Sequence, residues 1–94
     1  MELKAYKEFI EPVTCINGPV GKDKYLVNML IGGMLMGTRP FESMTEIDTV
    51  FNEMKNDQDI LLGCKEEGLE PVLVFEISEV KSKNERLAEL QKIN

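Results

Sequence analysis

The sequence predicts an α+β fold: a small, mostly antiparallel sheet of about four strands around a central Gly-Gly hairpin, with two or three helices packed on one face. Three observations carry that expectation. An apolar run over residues 25–37 is broken at its centre by Gly32-Gly33. Two Ser-x-x-Glu patterns, Ser43 to Glu46 and Ser82 to Glu85, precede stripes of apolar residues at helical spacing. A second apolar run, over residues 72–78, is rich in Val and Ile, the side chains that suit strands.

The first element is a strand over residues 2–16. Leu3, Ala5, Phe9, Val13 and Cys15 fall on one face at even steps, and Lys4, Glu8 and Thr14 on the other. Pro12 interrupts it, which places it at an edge or a bulge. Over residues 3–10 a helix competes, since Leu3, Tyr6, Lys7 and Ile10 also fit a helical stripe. Residues 17–23 then have turn chemistry.

Within 25–37, Asn28 is the one polar side chain. Glycines at 32 and 33 suit the positive φ angles of a two-residue hairpin turn. Counting outward from that turn pairs Ile31 with Met34, Leu30 with Leu35, Met29 with Met36 and Val27 with Thr38, and paired residues share a face. Both faces near the tip are then apolar, and a chain this small has helices enough to cover only one. A single buried helix over 24–36 is the competing reading, but two adjacent interior glycines would cost it about 1 kcal/mol each.

After the cap at Ser43, the residues Ile47, Val50, Phe51 and Met54 recur at i, i+3, i+4 and i+7. Asn56 to Asp59 offers a fresh start for a short helix over 58–67. Gly68 closes it, with Leu69 folding back on Cys64. Pro71 opens the strand at 72–78, and Ser82 caps a terminal helix with Leu87, Leu90 and Ile93 on a thin apolar edge.

Ninety-four residues with 43% hydrophobic side chains predict a single folded domain. The net charge of −6 disfavours direct binding to nucleic acid, because phosphate backbones demand clustered Lys and Arg. Residues 1–12 alternate charged and apolar side chains, unlike a signal peptide, and 25–37 is too short to span a bilayer. A cytoplasmic chain with reduced thiols is expected, away from membranes.

No motif points to catalysis. Gly18-Pro-Val-Gly21-Lys22 resembles a phosphate loop only loosely, since its glycines stand too close and Asp23 replaces the hydroxyl that would hold magnesium. Cys15 and Cys64 have no histidine to activate them, and the chain has no His with which to build a zinc site. The acid pairs Glu66-Glu67, Asp57/Asp59 and Glu76/Glu79 read as solvated surface, and the spacing of Asp57, Asp59 and Glu66 does not match a calcium loop. Glu76 is the least comfortable acid, set in an apolar strand. Arg39 can pair internally with Glu42 or anchor an acidic partner.

The expected function is therefore a small non-enzymatic interaction or regulatory module without a cofactor or metal. It would meet a protein partner, or a second copy in a homodimer, through Met29, Ile31, Met34, Met36 and Arg39. Methionine side chains make adaptable binding surfaces as well as cores. Two other readings remain: a ligand-binding or enzymatic subunit with Lys22 and Glu76 at an oligomer interface, or an acidic nucleic-acid mimic that inhibits a nucleic-acid-binding protein.

Overall fold

A computed structural model describes residues 3–15 and 23–82. Their order is β1 (Lys4–Phe9), β2 (Val13–Cys15), β3 (Tyr25–Ile31), β4 (Met34–Phe41), α1 (Met44–Lys55), α2 (Gln58–Glu67) and β5 (Val72–Ser82). Residues 16–22, which include Lys22 and most of the turn expected at 17–23, and the expected terminal helix lie outside the described residues.

The strands form one mixed sheet in the order β1-β5-β3-β4, with β2 continuing beside β5. β3 lies antiparallel to both β4 and β5, which accounts for most of the paired length, whereas β1 and β2 run parallel to β5. The alternation at 3–15 is thus a strand that breaks at Pro12. Phe9 sits opposite Ile77 and Val13 opposite Val80, so the edge strand carries one extra residue across the break.

Both helices start and stop where the local chemistry dictates. At α1, the Glu46 amide donates to Ser43 Oγ and the Glu42 amide donates to the Glu46 carboxylate, each at 3.3 Å. At the end of α2, Gly68 takes a left-handed φ of 68°. The Leu69 amide reaches back to the Cys64 carbonyl at 2.8 Å and the Gly68 amide to that of Lys65 at 3.3 Å, a Schellman ending.

The helices cover one face of the sheet. Leu73, Phe75 and Ile77 of β5, Val27 of β3, Phe41 of β4, and Ile47 and Phe51 of α1 make the buried core. Phe51 meets Phe75 edge to face at 5.2 Å between ring centres. Lys7 lies over the Phe51 ring and pairs with Asp48, closing the core on the β1 side.

The hairpin register departs from a straight count. Ile31 faces Met34 and Leu30 faces Leu35, but a bulge then sets Met29 opposite Gly37 and Val27 opposite Arg39, with Met36 as the extra residue. A one-residue shift turns every later side chain to the other face. Here the shift carries Phe41 into the core, where it is 2% exposed, and turns Thr38 to the opposite face beside Asn28. Burying an aromatic ring of this size outweighs the ladder bonds lost at one bulge.

Candidate functional site

The bulge and the turn together shape a cleft between the hairpin tip and α2. Ile31, Met34 and Met36 line it from the hairpin, and Ile60, Cys64 and Leu69 from α2 and its exit. Its volume is about 410 Å³, within the span of small-molecule and anchor-residue pockets. Met34 and Met36 are 57% and 64% exposed. Gly63 lines the cleft from α2, and a Cβ added there would meet nothing within 4 Å. Asp59 and Glu67, both exposed, are the charged residues among its walls, so the apolar floor has an acidic rim.

The tip is held in place from below. The Gly32 amide donates to the Val72 carbonyl at 2.8 Å, and the Gly32 backbone lies so close to Leu69 that an added Cβ would approach its Cβ to 2.9 Å. Gly32 and Gly33 both take positive φ, 61° and 82°, as a tight hairpin turn of this kind demands. A hairpin anchored in this way presents Met34 and Met36 on a fixed support, while their own thioether chains stay adaptable.

The structure separates the residues that the sequence singled out. Ile31, Met34 and Met36 come together in the cleft, whereas Met29 packs half-buried against the core. Arg39 stands on the helix side of β4, where its guanidinium lies 4.9 Å from the centre of the Phe41 ring rather than on Glu42. It borders a second, more polar hollow of about 360 Å³ beside α1. Glu76 lies on the opposite face of the sheet, paired with Asn28. Arg39 and Glu76 therefore do not share a site, and Lys22 lies outside the described residues.

On that opposite face the strands align a polar row between apolar neighbours. Asn28 Nδ2 donates to Glu76 Oε1 at 3.4 Å, and Thr38 Oγ1 donates to Asn28 Oδ1 at 2.7 Å. Glu8 stands opposite Glu76 on β1. The next row is Tyr6, Val74, Leu30 and Leu35, with Tyr6 50% and Leu35 61% exposed. The lone polar residue of the central run is thus satisfied by a cross-strand network, which accounts for it without a ligand.

Sequence reasoning missed the α2 side of the cleft. Ile60, Cys64, Gly63 and Leu69 read as an ordinary helix and its cap, and nothing in their spacing says which strand they will face. Cys64 is buried at 2% exposure. Among the described residues, no group of three or more His, Cys, Asp or Glu side chains is placed to hold a metal ion, and no helix is long and apolar enough to cross a membrane. Comparison of the chain with protein-family models, with curated proteins and with solved structures finds no match.

Proposed function

We propose that this chain is a small non-catalytic interaction module whose working surface is the methionine-lined cleft between the hairpin tip and α2, binding a protein chain and supporting self-association. The observation that carries the reading is the exposure of Met34 and Met36 at the mouth of an apolar cleft in a chain of net charge −6. Exposed apolar groups gathered around a concavity mark contact sites, whereas singly scattered ones do not.

Both sheet edges argue for side-chain docking over strand addition. β4 carries a bulge, Arg39 and Pro40, and the β1 edge carries Lys4, Glu8 and the break at Pro12. These are the devices that keep edges from pairing with other chains. The cleft has no such defence. A cytoplasmic, regulatory role is consistent with this reading and rests on composition. A ligand site built from Arg39 and Glu76 has less support, because the two stand on opposite faces of one sheet.

Gly63→Phe tests the proposal, since it fills the cleft from open space without entering the core. Sedimentation equilibrium of the full chain is expected to show self-association that this variant weakens at least tenfold, a typical loss at an interface centre. A wild-type chain whose mass and partner binding match those of a folded Gly63→Phe variant would exclude the cleft.

A further inference from the structure

Resting on the cleft reading above, we propose that the cleft's occupant is the same hairpin of a second copy. The two copies dock about a two-fold axis beside Met36, and Arg39 of each meets Asp59 and Glu67 of the other. The argument begins on β4. Met34, Met36 and Arg39 stand on its helix side, and all three are exposed. Between Met36 and Arg39 that side carries only Gly37, opposite Met29, where an added Cβ would meet nothing within 4 Å. The stripe passes from apolar to cationic with no side chain between to hold off a neighbour.

Charge is divided between the two ends of this stripe. Asp59 and Glu67 share the cleft walls with Met34 and Met36 at the tip end. Arg39 lies beyond Met36 on the side away from the tip, about 10 Å along the strand. Among the described residues, none of these three side chains forms an ion pair. Arg39 rests on the Phe41 ring, and Glu46, which borders the same hollow, is taken up by the Glu42 amide. The cation and the two acids are therefore open to a carboxylate and a cation from outside.

This layout is complementary to itself, and that selects a second copy. A two-fold interface sets one patch against the same patch in reverse. Reversal about Met36 lays each apolar centre on the other and carries each arginine to the acidic end of its partner. An apolar centre flanked by opposite charges fixes both contact and register. Residues 24–41 suit the encounter, because they carry Lys24 and Arg39 and no acid to oppose the acids of α2. The bulge and Pro40 keep β4 from pairing through its backbone, so the hairpins dock through side chains.

Sedimentation velocity of the full chain over a concentration series tests this, with Arg39→Glu, Asp59→Lys/Glu67→Lys and an equimolar mixture of the two, each checked for fold by circular dichroism. The wild type is expected to dimerise. Arg39→Glu and Asp59→Lys/Glu67→Lys should each raise the dissociation constant about threefold or more. Mixed together, they should dimerise nearly as tightly as the wild type, because each mixed dimer again sets opposite charges at both contacts. A charge effect confined to one chain would not recover on mixing. A monomeric wild type overturns the proposal and leaves the cleft to a foreign partner. A dimer indifferent to both charge variants, or one whose mixture recovers nothing, also overturns it. If that dimer is still weakened by Gly63→Phe, the cleft stands and only this arrangement falls. If it is not, the cleft reading falls with it. Should Asp59→Lys/Glu67→Lys disturb folding, Glu67→Lys alone takes its place in the mixture and the same outcomes decide.

Discussion

At Gly63 the chain leaves open a space that a side chain could occupy: an added Cβ would touch nothing within 4 Å, inside a helix where glycine is a poor choice. Gly63→Ala should therefore raise stability by about 1 kcal/mol in urea unfolding, with the cleft little changed. The hairpin glycines behave differently from one another. Both have positive φ, but a Cβ at Gly32 would also press on Leu69 and one at Gly33 would meet nothing. Gly33→Ala should cost about 1 kcal/mol of backbone strain, and Gly32→Ala measurably more in the same assay. Equal losses would show that the tip is not seated against Leu69. That two glycines stand in the turn was plain from the sequence. That only one of them is pinned from below was not, since Leu69 lies thirty-seven residues further along the chain.

Among the elements, those with local causes were legible and those with distant causes were not. Ser43 and Gly68 mark helix ends through bonds to neighbours within five residues, so the boundaries of α1 and α2 follow from the sequence. The bulge at Met36 depends on Phe41 reaching a core supplied by β5 and α1, and no short window contains that information. The parallel pairing of β1 and β2 with β5 is equally remote. Phe75 is where these distant elements meet, fully buried on the central strand and edge-on to Phe51. Phe75→Ala should cost about 3–5 kcal/mol, a large share of the stability of any small domain, and should show by calorimetry as a loss of cooperative unfolding near room temperature. On the open face, Asn28→Ala removes two cross-strand hydrogen bonds and should cost about 1–2 kcal/mol. A loss above that range would mean that the polar row has a larger part in the sheet than its geometry suggests.

For the molecule as a whole, the candidate site was half legible. Met34 and Met36 were visible as apolar residues in excess of what so small a chain can cover, and Ile31 followed from pairing across the turn. The wall that turns them into a cleft comes from α2, which reaches the hairpin only through tertiary packing. Of the two readings of Arg39, the pairing with Glu42 gives way to the aromatic ring two residues on, which sequence proximity does not reveal as the better neighbour. Charge at this scale divides the chain: there is no acid from Lys24 to Phe41, while Asp59 and Glu67 place acids on the facing helix. The most direct test is a dilution series of the full chain with its methionine methyl groups labelled with carbon-13. The Met34 and Met36 signals should shift together as association proceeds, while those of Met44 and Met54, which pack against the core, stay fixed. Association that leaves Met34 and Met36 unmoved, or that moves Met44 and Met54 instead, would contradict the cleft as the site where this protein meets another chain.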